Sequence, residues 1–145
     1  MKLVIQRVKK ANVKINNEIV GSIEKGFLVY LGIHINDTKN DVFKYVNKIS
    51  NLRVFEDEDG KMNKDIKSVN GDFLIVSQFT LYGDAKKGNR PSFIEAARPE
   101  VAIPLYELFI DTLKNSFNVE TGVFGADMQV ESVNDGPVTI ILENL

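Results

Sequence analysis

Gly71-Asp72-Phe73-Leu74-Ile75-Val76-Ser77-Gln78-Phe79-Thr80-Leu81-Tyr82-Gly83-Asp84 is the stretch on which the fold turns. It opens as an apolar run, Phe73 to Val76, then becomes polar through Ser77, Gln78 and Thr80 without leaving strand composition. A run of this kind, closed by Gly-Asp at both ends, predicts a central strand over about 72–82 that is buried on both faces. Alternation then sets Gln78, Thr80 and Tyr82 on one face and Ser77, Phe79 and Leu81 on the other. An amide and a hydroxyl side by side where a buried strand is about to turn make the floor of a polar pocket. The competing reading has Ser77 and Thr80 bonded to neighbouring backbone and Gln78 facing solvent, since strands often carry Thr.

Working outward, Gly26 opens Phe27-Leu28-Val29-Tyr30-Leu31-Gly32-Ile33, a second strand whose unbroken apolarity calls for cover on both sides. Ahead of it, residues 2–8, 11–15 and 18–23 read as an antiparallel meander, with Asn16-Asn17 as a turn. Asn36, Asp37 and Thr38 offer N-cap side chains, and Val42, Tyr45 or Val46, Ile49 and Leu52 recur at helical spacing, which predicts a helix over 38–51. Arg53 to Glu56 is a short strand before the hairpin turn Asp57-Glu58-Asp59-Gly60, which lacks the spacing and closing Glu of a calcium loop.

Beyond the central strand lies a basic loop, Asp84 to Pro91, then a short helix over 91–98 and a longer one over 100–116 with an apolar stripe at Leu105, Leu108, Phe109, Thr112 and Leu113. Pro104 is expected in or near the first turn of that helix. Two strands, 127–133 and 137–143, flank the turn Asn134-Asp135-Gly136-Pro137. The order predicts one domain over residues 1–145 of the mixed α and β (α+β) class, with antiparallel, barrel-like β-sheets and two main helices packed outside.

Composition removes several function classes. The 43% hydrophobic and 26% charged content is that of an ordinary globular protein. There is no cysteine, so disulfides, thiol nucleophiles and thiolate metal sites are excluded together, and no metal or cofactor is expected. His34 is the only histidine; it stands at a strand end with no nucleophile signature beside it. The first residues lack a signal-peptide core and no apolar run is long enough to span a bilayer, so a cytoplasmic location without a membrane partner is expected. A net charge of −2 supplies no global basic field for DNA. Any RNA contact is therefore local, and Lys86, Lys87 and Arg90, directly after the pocket floor, are the candidates for phosphate contact.

The second unusual spot is Gly136-Pro137, directly before Val138-Thr139-Ile140-Ile141-Leu142. Asn-Asp-Gly-Pro is a sound turn by itself, and Pro is tolerated at the first position of a strand. A Gly-Pro bond is also one of the few that adopts the cis form at a cost of only about 0.5–1 kcal/mol, turning successive carbonyls in an otherwise unavailable direction. Such an element suits a ligand gauge.

Ser77-Gln78-Phe79-Thr80-Leu81 together with Asn134-Asp135-Gly136-Pro137-Val138-Thr139 closely resembles the two signatures of the D-aminoacyl-tRNA deacylase family. The likeness covers nearly the whole chain, through Val4 to Val8, Lys87 to Phe93 and Phe124 to Val130. It implies a hydrolase that releases free D-amino acid and tRNA from D-aminoacyl-tRNA, with glycyl-tRNA also admitted. It implies a homodimer in which Gly136-Pro137 of one protomer enters the pocket built by Ser77 to Leu81 of the other. The carbonyls of that element would capture the substrate's α-amino group and reject an L side chain by crowding. Leu81 and Met128 would line the substrate, and the partner would be the aminoacylated 3′ end of tRNA.

For the chemistry, ester hydrolysis passes through a tetrahedral oxyanion and needs donors aimed at it. The backbone N–H groups around Phe79 and Thr80 are the candidates, with Gln78 positioning substrate. Thr80 has no obvious base to make it a nucleophile, so water attack assisted by the substrate's ribose hydroxyl is expected. The alternatives are a dimeric module that binds RNA ends without hydrolysis, and an esterase for unrelated small acyl esters.

Overall fold

A computed structural model describes residues 1–145. The chain begins as one long strand, β1 (Lys2–Ile15), turns at Asn16-Asn17, both with positive φ, and returns as β2 (Glu18–Ile23) and β3 (Gly26–Gly32). Asparagine tolerates that left-handed backbone better than most residues, which is why the turn forms there. β2 and β3 lie end to end along one edge of β1, opposite residues 11–15 and 2–8, while β8 (Gln129–Glu143) follows the other edge along almost all its length. β6 (Asp72–Ser77) pairs with β3 and β7 (Val119–Thr121) with β6.

The sheet curls so that β2 approaches β7: a Cβ at Gly21 would stand 2.5 Å from the Thr121 carbonyl oxygen, so only glycine allows this approach. β4 (Phe55–Glu56) and β5 (Met62–Lys64) form a separate small hairpin. Two helices, α1 (Lys39–Ser50) and α2 (Pro99–Lys114), cover one face. The α+β class with a nearly closed, barrel-like sheet and two outer helices is therefore as the sequence implies.

β3 and β6 are buried on both faces, as their unbroken apolarity requires. Phe27, Val29, Leu31, Phe73 and Ile75 join the large core under the helices. Leu28, Leu74 and Val76 pack inside the barrel with Val8, Ala11, Val13 and Ile23. α1 starts at Thr38, whose backbone N–H donates to Asp41 Oδ2 (2.7 Å). That bond is the main reason the Asp41 carboxyl titrates below the usual carboxylate range.

Several expectations need correction. The central strand ends at Ser77, and residues 79–82 form a 3₁₀ turn, so the alternation expected for Gln78 to Tyr82 does not hold. The cause is the partner strand: β3 stops at Gly32, and the last bond it accepts is from the Gln78 N–H to the Leu31 carbonyl (2.8 Å). With no ladder left, the chain folds onto Gly32, where a Cβ would stand 3.2 Å from both the Gln78 carbonyl oxygen and the Leu81 Cβ. The pairs β3–β6 and β6–β7 are parallel, so the sheet is mixed rather than wholly antiparallel.

Residues 2–8 and 11–15 are one strand, and the two expected at 127–133 and 137–143 are one that begins at Gln129, because each runs against the other across the expected breaks; register shifts near Val8 absorb the irregularity. Residues 91–98 hold no helix and instead lie as turns with a bridge from Ala96 to His34. Pro104 sits inside α2 in its second turn, just past the first, as near to the start as the expectation allows.

Candidate active site

At the carboxyl end of β6 the polypeptide opens a cleft of about 300 Å³. Val76, Ser77, Gln78 and Phe79 form one side, Ala97 and Ala102 beside the start of α2 another, and Phe124 to Met128, between β7 and β8, close it. Most of the lining is apolar; Ser77, Gln78 and Asp127 supply its polar side chains. Met128 Sδ packs over Gly122, 2.4 Å from where a Cβ there would stand.

The 3₁₀ turn at the cleft mouth leaves backbone donors free. Its bonds run from the Leu81 N–H to the Gln78 carbonyl and from the Gly83 N–H to the Thr80 carbonyl. The amides of Phe79 and Thr80 precede the first closed bond and find no acceptor, as expected for the opening residues of any helical turn. Gln78 Nε2 donates to Thr80 Oγ1, so the two side chains form a unit across the bend. The Thr80 hydroxyl thus meets the Gln78 amide rather than neighbouring backbone.

No lysine, histidine or carboxylate is hydrogen-bonded to Thr80. Tyr82 is unsuited to proton transfer at neutral pH, because burial pushes its hydroxyl far above the ordinary tyrosine value. His34 is engaged elsewhere, its Nδ1 accepting the Asn36 N–H (3.1 Å) and its ring edge-on to Tyr82.

Of the residues singled out in the sequence, Ser77, Gln78, Phe79 and Met128 come together in the cleft. Thr80 stands beside it through Gln78. Leu81 turns away and lines a small neighbouring hollow with Tyr82 and Lys86. Lys87 and Arg90 are exposed on the loop beyond. Gly136 and Pro137 are exposed on β8 and do not line the cleft of their own chain; the peptide between them is cis.

Sequence reasoning missed the residue that holds this last segment. Arg7 is the one charged side chain buried in the molecule, at 6% exposure. Its Nε donates to the Asp135 carbonyl (3.2 Å) and its Nη1 to the Val54 carbonyl (2.7 Å), with the Asp135 carboxylate 3.5 Å away. The Asn134 amide adds a second stitch in the orientation that satisfies both its atoms, with its nitrogen turned to donate to the Arg7 and Val138 carbonyls (3.1 Å each) and its oxygen accepting from the Thr139 hydroxyl. The signal was present: Leu3, Ile5 and Arg7 share one strand face, and a cation on the buried side of a strand must have partners.

The model of the family described as D-Tyr-tRNA(Tyr) deacylase matches residues 4–143. This chain belongs to that family. Among curated members, the D-aminoacyl-tRNA deacylases of Thermosipho africanus and Thermus aquaticus are each 54% identical over 145 residues, covering 99% of this chain and 97% and 95% of theirs. A solved structure titled c-Myc DNA Unwinding Element Binding Protein superposes with a TM-score of 0.94 at 44% identity, covering 100% of this chain and 99% of that one. A second, titled as a probable eukaryotic D-amino acid tRNA deacylase, reaches 0.85 at 18% identity, with 97% of each chain covered, and shows the same fold. No group of three His, Cys, Asp or Glu side chains is placed to hold a metal ion, and no helix is long and apolar enough to cross a membrane.

Proposed function

We propose that the chain hydrolyses the ester of D-aminoacyl-tRNA at the cleft of β6. The observation that carries this reading, in a member of a deacylase family, is the pair of unpaired N–H groups of Phe79 and Thr80 at the cleft mouth. Water adds to the ester carbonyl, and the negative charge that develops on its oxygen is met by these two donors. The ribose oxygen then leaves with a proton, releasing D-amino acid and tRNA with an intact terminal hydroxyl. The neighbouring ribose hydroxyl of the substrate carries the proton, since no lysine, histidine or carboxylate is bonded to Thr80 to take it. Gln78 orients the substrate and Met128 bounds the space around it, with Leu81 turned away into the neighbouring hollow. Lys86, Lys87 and Arg90 contact phosphate.

Chirality is read by a second copy of the chain. Gly136 and Pro137 are exposed and the outer edge of β8 has no strand partner along its 15 residues, an edge that proteins ordinarily cover. Exposed Val133 and Ile141 on the same strand support an association there. In the dimer, Gly136-Pro137 of one protomer faces the cleft of its partner, binds the α-amino group through backbone carbonyls and crowds out an L side chain. Glycine has no side chain to exclude, so glycyl-tRNA is hydrolysed too.

Incubation with D-tyrosyl-, L-tyrosyl- and glycyl-tRNA tests the activity: the D and glycyl esters are cleaved and the L ester persists. Protection of the D ester would identify a binding module, and equal turnover of a simple acyl ester a general esterase. Light scattering should give a mass near twice the 16.3 kDa of the chain. A monomer that still separates D from L would remove the cross-protomer gate. Thr80→Val should lower single-turnover deacylation by less than about tenfold, the lower reach of general-base effects being about a hundredfold. Loss of all activity with tRNA still bound would make the Thr80 hydroxyl a participant in the chemistry.

A further inference from the structure

Beside the cleft mouth lies an exposed apolar patch that the hydrolytic chemistry does not use. Phe79 is 56% exposed, Phe93 37% and Ile94 82%. The two rings meet edge to face, with centroids 5.2 Å apart. Phe93 is held in place by its seat on Gly83, where a Cβ would stand 3.0 Å from the ring. Between Gly83 and Phe93 the chain makes a closed loop, pinned at its base by the Asp84 N–H to Ser92 carbonyl bond (2.8 Å) and its reciprocal (2.9 Å). That loop carries Lys86, Lys87 and Arg90, none of which forms an ion pair within the chain. Asp84, the acidic residue at its base, accepts the Lys86 backbone N–H and forms no ion pair with the loop cations.

We infer that Phe79 and Phe93 form a stacking platform for the base of the penultimate nucleotide of the RNA, with the loop cations on the adjoining phosphates. The inference rests on the deacylase reading and extends it beyond the terminal adenosine. Phe79 belongs both to the cleft and to the patch, so a strand whose last nucleoside enters the cleft runs directly onto the two rings. Open aromatic faces next to unpaired cations are how proteins hold single-stranded nucleic acid without reading its sequence, whereas an apolar protein partner would leave three cations without counter-charge. The device also fits a chain with net charge −2: a short, local strip suffices where only a single-stranded end is gripped.

The test compares the trinucleotide cytidylyl-cytidylyl-adenosine with adenosine monophosphate in NMR titrations of the full chain, alongside deacylation of D-tyrosyl-tRNA. Wild-type protein binds the trinucleotide at least about fivefold more tightly, because one stacked base is worth roughly 5- to 150-fold. Phe93→Ala removes most of that advantage while AMP binding stays within about twofold, and Phe93→Trp restores it. Equal loss for both ligands, no loss for either, or a change of oligomeric mass in Phe93→Ala overturns the platform, the last by making the patch a contact between copies. The titration reads the platform whether or not the ester is cleaved. Absent turnover of D-tyrosyl-tRNA by the wild type would instead overturn the deacylase reading.

Discussion

Phe79→Pro should lower kcat on D-tyrosyl-tRNA about 10²–10³-fold below Phe79→Ala, with KM shared between the two variants. Both substitutions remove the ring, and only proline removes the N–H. The position tolerates it: Phe79 is the first residue of the 3₁₀ turn, where proline's fixed φ fits and where no hydrogen bond is lost. The preceding residue, Gln78, has φ −147° and ψ 85°, outside the helical region that a following proline disfavours. Thermal midpoints of the two variants should therefore agree within a few degrees. A loss confined to kcat marks a donor that acts only as charge builds on the carbonyl oxygen. Equal rates for the proline and alanine variants would remove the Phe79 amide from the mechanism and leave the Thr80 amide to act alone.

This amide was accessible from the sequence only as a chemical requirement. Phe79-Thr80-Leu81-Tyr82 has strand composition, and nothing local distinguishes a strand from a 3₁₀ turn there; the end of β3 at Gly32 decides it, about fifty residues upstream. The two core strands were legible because neither face reaches water, so their apolarity is unbroken. Their parallel pairing was not, since pairing direction depends on how the chain returns and leaves no mark on the strand itself. Asn134-Asp135-Gly136-Pro137 carries every mark of a turn and yet continues β8, because β1 runs alongside and supplies partners before and after it. Local turn chemistry yields to a long neighbour. Of the cleft wall from Phe124 to Met128, only Met128 was expected at the substrate, through the family likeness; the rest needed the packing of β7 and β8 around it.

Arg7 gives the other large effect. Arg7→Met should destabilise the fold by about 2–4 kcal/mol, because the Val54 and Asp135 carbonyls lose their donors while the buried stem is replaced by one of similar bulk. The two carboxylates near it, Asp135 and Glu56, are 36% and 60% exposed and regain water, so they add little to the loss. Arg7→Lys should fare nearly as badly. A single ammonium cannot span the two carbonyls that the planar guanidinium bridges.

Stability alone would make Arg7 a core residue, and the functional readout separates the cases. The Asp135 carbonyl it holds is one residue before Gly136, so loosening it blurs the element proposed to exclude L side chains. The ratio of D- to L-tyrosyl-tRNA deacylation should then fall by at least about tenfold below the unfolding transition, with D-ester turnover falling less. Urea denaturation measures the first effect and paired deacylation rates the second. A destabilised Arg7→Met protein that keeps its full D-over-L ratio would mean that the Asn134 amide, bonded to the Arg7 and Val138 carbonyls, holds Gly136-Pro137 without help from the guanidinium.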